Sequence, residues 1–256
     1  MRNIWTVARK ELNAYFRSPI AYIVLGVFAV IFGFIYYSML SQFMRLTFEQ
    51  VLRFGQEFPL NVNEIVIRSL FMNVSLVCLF LVPMITMRLF AEEKKTGTIE
   101  LLMTSPVTDM QIILGKFLGA FLLYAVLLGL TLVYILILFR FGNPDWKPLV
   151  AGYLGQLLLG GCYLSFGILF STFTKNQLVA GSLTFGLFLM LWIIRVVSSY
   201  AGTEIGKITN YLSFTTHIDN FSRGVLDLQD IVYYLSVIGL GLFFTARSVE
   251  SIRWRQ

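Results

Sequence analysis

The chain of 256 residues is 57% hydrophobic and only 13% charged, with a formal net charge of +6. Because a soluble domain carries roughly 25% charged residues, this composition excludes a soluble globular protein and indicates one that lies in a lipid bilayer. The basic residues are scattered at the ends of apolar runs rather than clustered on one face, which argues against nucleic acid as a partner.

The first 17 residues predict an amphipathic helix. Its apolar side chains, from Ile4 to Phe16, share an arc of roughly 120°, and its basic side chains, from Arg2 to Arg17, occupy the opposite arc. We expect 1–17 to lie in the membrane interface with its apolar face in lipid, and Ser18-Pro19 to end it. A disordered basic tail is the alternative, which the clean separation of the two faces disfavours.

Six apolar segments follow, each able to cross a bilayer as a helix. A helix rising 1.5 Å per residue needs about 20 residues to cross a hydrocarbon core of about 30 Å, and the last segment reaches this length by borrowing flanking residues. The predicted fold class is therefore all-α, a polytopic membrane protein with spans at 20–40, 69–87, 117–139, 149–173, 178–197 and 231–246.

Two long connections lie on the same side of the predicted membrane. Residues 41–68 mix charged and apolar side chains and predict a short surface helix. Residues 198–230 are apolar enough to predict an outer region that partly re-enters the membrane, which non-helical backbone tolerates only when buried in protein or facing water.

The distribution of basic residues predicts the orientation. Twelve of the 20 Lys and Arg residues lie in the N-terminus, the C-terminus and the connections after the second and fourth spans, and eight lie on the other side. Since cytoplasmic connections carry the excess of Lys and Arg, we expect both termini to be cytoplasmic.

The sequence lacks the signatures of the common catalytic sites. A single histidine, His217, excludes an HExxH metal site, and the chain has no GxSxG turn. Its two Gly-Lys pairs lack the upstream glycine and the following Ser or Thr of a P-loop, and Cys78 and Cys162 form no metal-ligand pattern. We therefore expect no enzyme, no metal and no cofactor in this chain, and energy supplied by a partner or an ion gradient.

Polar groups within the predicted spans are few. Gradient-driven transport usually needs ionisable residues within the spans. The one candidate, Arg195, lies near enough to a helix end for its charge to reach the interface. The scarcity of ionisable residues argues against a secondary transporter. The residues that could line a translocation path are Asn73, Gln156, Thr184 and Arg195.

The connection 88–116 predicts two short amphipathic helices, separated by Gly97 and ended by Ser105-Pro106. Thr108 or Asp109 can cap the helix that enters the third span. Two short charged helices at the membrane surface suit docking to a cytoplasmic protein, but an ordinary solvated loop with helix caps explains the pattern equally well.

The residues of this connection resemble the signature of ABC-2 family exporter permeases: a phenylalanine and a glutamate, then Gly-Thr-x-Glu-Leu-Leu, a proline, and Gly-Lys at the next helix. The resemblance implies a coupling helix that sits in a cleft of a separate ATPase subunit. The residues it implicates are Arg88, Phe90, Glu92 or Glu93, Gly97, Thr98, Glu100, Leu101, Leu102, Pro106, Gly115 and Lys116.

The chain is most similar to the gliding-motility-type branch of that family, through Ser18-Pro19-Ile20 after its first helix and Ser222-Arg223-Gly224-Val225 near its end. The resemblance implies a bacterial inner membrane protein that pairs with a cytoplasmic ABC ATPase, which binds ATP and Mg²⁺. It also implies a second copy or a homologous permease, and an auxiliary membrane subunit with an extracytoplasmic domain.

A second polar cluster lies in the outer connection. His217, Asp219, Arg223, Asp227 and Asp230 could form a charged network at the mouth of a translocation path. The simpler interpretation, which we favour, is that Asp227 to Asp230 cap the last span and Arg223 pairs with a nearby carboxylate.

The sequence thus predicts the permease subunit of an ATP-binding-cassette exporter. The alternative is a membrane subunit that transports nothing and transmits ATPase motion to extracytoplasmic partners. A third interpretation, a channel that works without an ATPase, is disfavoured by the coupling motif.

Overall fold

The computed structural model describes residues 2–54, 61–104, 106–142, 144–198, 211 and 213–253. Within these ranges the chain is helical, with no β-strand. Its helices are α1 (Arg2–Arg17), α2 (Pro19–Phe54), α3 (Arg68–Thr86, preceded by a π-helical turn, Asn63–Ile67), α4 (Ala91–Thr96), α5 (Ile99–Met103), α6 (Asp109–Phe141), α7 (Trp146–Ser171), α8 (Gln177–Ser198), α9 (Phe214–Ser222) and α10 (Leu228–Arg253).

Six of these helices, α2, α3, α6, α7, α8 and α10, are long and apolar enough to cross a membrane. This confirms the predicted all-α fold with six spans. Each predicted span overlaps one of the six helices over most of its length.

The helix α2 corrects the expectation for residues 41–68. Its 36 residues rise about 54 Å at 1.5 Å per residue, well beyond a hydrocarbon core of about 30 Å. Residues 41–54 therefore continue the first span in one unbroken helix instead of forming a separate surface helix. The next six residues lie outside the described part of the chain.

The helix α7 forms the centre of the bundle. In its most apolar stretch 72% of the residues are buried within the protein, against 17% in that of α8. The glycines of α7 allow neighbouring aromatic rings to lie against its backbone: a β-carbon on Gly160 would come within 2.0 Å of the Tyr124 ring. Small residues thus let helices approach closely where lipid gives no hydrophobic driving force between them.

The two ends of the bundle gather different segments. One end brings together α1, α4, the start of α6, the link after α7 and the end of α10, where the hydroxyls of Thr172 and Ser248 lie 2.7 Å apart. The opposite end brings together the π-helical turn, the start of α7 and α9, where Asn63 donates a hydrogen bond to Asp145. The connection 88–116 and the polar residues of 217–230 therefore lie at opposite ends of the bundle. After the roles that the sequence predicts for them, residues 88–116 are called the coupling connection, and the two ends the coupling end and the outer end.

Candidate functional site

The helix α1 packs directly on α6 through two glycines spaced four residues apart. A β-carbon on Gly115 would lie 2.5 Å from Cβ of Val7, and one on Gly119 would lie 2.8 Å from Cβ of Glu11. Ala8 and Tyr15 of α1 are buried in the protein, whereas Trp5 is 60% exposed. Part of the apolar face that we expected in lipid therefore contacts α6, and the placement of the rest in the interface stays a prediction.

Lys116 on α6 is the centre of a buried charged cluster. Its side chain is 1% exposed, and Nζ lies 2.8 Å from a carboxylate oxygen of Glu11 on α1 and 2.8 Å from one of Glu93 on α4. The same nitrogen donates a hydrogen bond of 2.7 Å to the carbonyl of Leu89. A buried cation needs such partners, because an unpaired one would be strongly destabilising. Lys116 thus joins three segments that are distant in sequence.

A second buried cation supports the turn between α3 and α4. The guanidinium carbon of Arg88 lies 4.0 Å from the centre of the Tyr15 ring, a cation–π contact. The Tyr15 hydroxyl donates a hydrogen bond of 2.7 Å to the carbonyl of Ile85. Burial raises the pKa of the Tyr15 phenol, although Arg88 acts in the opposite direction, so the hydroxyl keeps its proton and remains a donor. Phe90 lies beside this turn, with its ring centre 5.1 Å from Nζ of Lys116.

The end of α7 holds the start of α4. The Ser171 hydroxyl oxygen accepts hydrogen bonds from the backbone N–H groups of Phe90 at 2.9 Å and Ala91 at 3.0 Å. These N–H groups lie at the start of α4, where a helix leaves its donors without partners of its own. Lys94 donates a hydrogen bond to the carbonyl of Thr172. The helix α4 is therefore fixed to α7 as well as to α1 and α6.

The helices α4 and α5 separate at Gly97, which confirms the predicted break. Gly97 ends α4 with φ of 73°, a left-handed conformation that only glycine adopts without cost. After α5, Thr108 caps α6: its hydroxyl accepts from the backbone of Gln111 while the Gln111 side chain accepts from the backbone of Thr108. Of the two predicted caps, Thr108 is the one observed.

The residues implicated by the family signature divide into two groups. Arg88, Phe90, Gly115 and Lys116 are buried and Glu93 is partly buried. The second group is exposed, and Leu101 has 73% of its surface exposed. The members of this group are Glu92, Gly97, Thr98, Glu100, Leu101 and Pro106. The Leu102 side chain lies outside the described part of the structure.

The outer polar cluster contains two separate networks. Asp219 accepts two hydrogen bonds from the Arg68 guanidinium, at 2.7 and 2.9 Å, and lies 2.9 Å from Arg223. In the second network, Nδ1 of His217 lies 2.6 Å from a carboxylate oxygen of Asp230. Both networks tie α9 to the starts of spans, which indicates a role in holding the outer end together.

The second network corrects one expectation. Asp227 precedes α10 and accepts a hydrogen bond from the backbone of Gln229 at 3.0 Å, as a helix cap should. Asp230 does not cap the helix: it is buried and pairs with His217 and with Asn220, whose amide donates to it at 2.9 Å. The predicted pairing of Arg223 with a carboxylate is confirmed.

Among the predicted path residues that the structure describes, Asn73, Gln156 and Thr184, no two form a hydrogen bond with each other. Gln156 is fully buried and donates hydrogen bonds across to α3, to the carbonyl of Phe71 and the hydroxyl of Ser75. Asn73 and Thr184 each donate to a carbonyl one turn earlier in their own helix. The Arg195 side chain lies outside the described part of the structure.

Sequence reasoning missed three residues of the coupling end, namely Glu11, Tyr15 and Ser171. Glu11 carried a signal, because it is the one acidic residue on α1 and Lys116 needed a carboxylate partner. The spacing of Gly115 and Gly119 also indicated a close helix contact, without saying which helix provides it.

A model of one protein family, described as ABC-2 family transporter protein, matches residues 5–247. The match covers nearly all of the chain, from α1 to α10. No curated protein matches the sequence.

Proposed function

The chain belongs to the ABC-2 family of transporter proteins, and from this premise we propose that it is the permease subunit that couples a separate cytoplasmic ATPase to the membrane. The ATPase would bind ATP and Mg²⁺, since this chain has no P-loop. Energy would then reach the spans through mechanical contact alone.

One observation carries the proposal: the coupling connection has an exposed half and a firmly anchored half. Glu100 and Leu101 are exposed and able to meet a partner. Behind them, Lys116 holds α4 to α1 and α6, and Ser171 holds it to α7. A displacement of α4 and α5 would therefore move the ends of two spans together instead of being absorbed by a loose loop.

A second copy of this chain, or a homologous permease, would complete the membrane unit. The helix α8 has few buried residues in its most apolar stretch, and an apolar groove of about 400 Å³ runs between α3 and α8 beside Phe80 and Phe185. A packed helix from a second permease would cover this groove. The mostly apolar lining favours helix packing over passage of a polar substrate.

The proposed location is the bacterial inner membrane, with both termini cytoplasmic. The bias of Lys and Arg supports this orientation. The helix α1 contacts α6, and the end of α10 contacts the link after α7. These contacts support placing both termini at the same end as the coupling connection.

A subunit that transports nothing and acts on extracytoplasmic partners is the second candidate, and the length of α2 favours it. Residues 41–54 extend α2 beyond the span and expose Met44, Phe48 and Leu52. An auxiliary subunit with an extracytoplasmic domain, as in the gliding-motility-type branch, would find a contact surface there. Substrate flux into reconstituted vesicles separates the candidates: the exporter moves a substrate, and the transmitting subunit hydrolyses ATP without moving one.

Purification of the tagged full chain from native membranes in mild detergent tests the proposal. We expect a P-loop ATPase to co-purify in a fixed ratio to the permease. A chain that is recovered intact and folded, from cells grown under several conditions, without any ATPase would overturn the proposal.

A further inference from the structure

An open apolar groove lies between α6 and α7, in the half of the bundle opposite the coupling connection. Its volume is about 570 Å³. Leu136 of α6 and Val150 of α7, two of the side chains that line it, are 68% and 59% exposed. The hydroxyl of Tyr153, another residue that lines the groove, is paired with the Thr131 hydroxyl at 2.6 Å. The groove therefore offers apolar contacts only.

Two basic residues lie at the outer end of this groove. On α6, Arg140 follows Leu132 and Leu136 at intervals of four residues. On α7, Lys147 precedes Val150 by three residues, so each basic residue lies on the same helix face as the groove residues of its helix. Both are exposed, and neither forms an ion pair with any residue that the structure describes.

The neighbouring acidic side chain, Asp145, forms no ion pair with Arg140 or Lys147 in the described part of the chain. The Asp145 carboxylate accepts a hydrogen bond of 2.9 Å from Asn63, and the backbone N–H of Asp145 donates to the same side chain at 3.1 Å. Asp145 thus lines a separate polar cavity with Arg68 and Arg223. Trp146, 64% exposed beside the cations, is the residue type enriched at the level of lipid headgroups.

We propose that this groove binds an anionic glycerophospholipid of the leaflet at this end of the bundle. One acyl chain would occupy the apolar groove, and the phosphate of the headgroup would lie between Arg140 and Lys147. The charge favours a lipid over a partner helix, because a helix seated here would need carboxylates at the same depth, whereas a phospholipid carries its phosphate at that level. The site is separate from the coupling end and independent of any ATPase.

Native mass spectrometry of the purified full chain tests this site. It measures how much phosphatidylglycerol or phosphatidylcholine, added with identical acyl chains, stays bound to the protein. Since each basic residue near an anionic surface contributes a similar attraction, two of them predict a preference for phosphatidylglycerol of about tenfold or more at low salt. The double variant Arg140→Gln/Lys147→Gln should bind both lipids equally. The matched double variant Arg45→Gln/Arg53→Gln, with the same charge change on α2, should keep the preference.

A second variant tests the groove itself. Val150→Trp fills it while leaving both cations in the sequence, and should reduce retention of both lipids several-fold, while the thermal stability of the protein stays as in the wild type. Equal binding of the two lipids by the wild type, or an unchanged preference in Arg140→Gln/Lys147→Gln, would overturn the proposal. Efficient disulfide crosslinking between two copies through Val150→Cys would also overturn it, because a second permease would then occupy the groove.

Discussion

The ammonium group of Lys116 lies 2.8 Å from the carboxylate of Glu93, and this ion pair joins the start of α6 to α4. The same nitrogen lies 2.8 Å from Glu11, 105 positions earlier in the chain. One buried cation thus closes a contact among α1, α4 and α6. Because the loss of Lys116 leaves two carboxylates without a cation, the cluster is most sensitive to a change at this residue.

Replacement of Lys116 by methionine should lower the free energy of unfolding by about 3 kcal/mol, since two carboxylates would face each other with no cation between them. Unfolding in mixed micelles, followed by helix content, measures this. The triple variant Glu11→Gln/Lys116→Met/Glu93→Gln removes all the charges and should recover most of the loss. A Lys116→Met protein as stable as the wild type would show that the cluster does not hold α1 and α4.

Substitution of Gly115 by valine should detach α1 from α6, because even a β-carbon would lie 2.5 Å from Val7. The expected result is faster tryptic cleavage after Arg9 and Lys10, which are exposed but lie on a packed helix. Gly129→Val is the matched control, since a β-carbon there meets nothing within 4 Å. Equal cleavage rates in Gly115→Val and Gly129→Val would contradict the packing of α1 on α6.

Substitution of Ser171 by alanine removes the acceptor for the N–H groups of Phe90 and Ala91. Buried donors without partners cost about 1–3 kcal/mol, so α4 should open more often. Hydrogen–deuterium exchange should rise at the peptide spanning these residues. Ser251→Ala, which removes an exposed hydroxyl on α10, serves as control. Unchanged exchange in Ser171→Ala would mean that α7 does not hold α4.

Local signals in the sequence predicted the parts of the site that depend on local structure. Gly97 ends α4 because a left-handed residue is needed there, and Thr108 caps α6 because a hydroxyl precedes Gln111 at the right interval. The six spans follow from hydropathy for the same reason, since each span satisfies its own backbone hydrogen bonds.

The remaining features depend on contacts between distant segments. A Gly-Lys pair does not tell which carboxylates will surround Lys116, and the one found on α1 is 105 positions away. Asp230 could cap its own helix, and only the packing of α9 shows that it pairs with His217. Hydropathy did not predict the extension of α2 past the span. The polar residues of this segment fit a surface segment as well as they fit a continued helix.

Cysteine labelling tests the orientation. In a chain whose buried Cys78 and Cys162 are replaced by alanine, Lys147→Cys should react with an impermeant maleimide applied to spheroplasts, because Lys147 is exposed at the outer end. Glu100→Cys, exposed at the coupling end, should react only after permeabilisation. The reverse pattern would invert the topology.

The most direct test of ATPase coupling measures how much the reconstituted permease binds and stimulates its co-purified ATPase when the exposed half of the connection is changed. Glu100→Lys and Leu101→Asp alter side chains that face outward and leave the Lys116 cluster intact, so insertion and stability should stay as in the wild type. Both should weaken ATPase binding about tenfold or more, the loss expected at a buried contact residue. Glu49→Lys, an equal charge reversal on the opposite end of the bundle, should leave binding and stimulation unchanged. If Glu100→Lys and Leu101→Asp bind and stimulate the ATPase as the wild type does, α4 and α5 are not the coupling element.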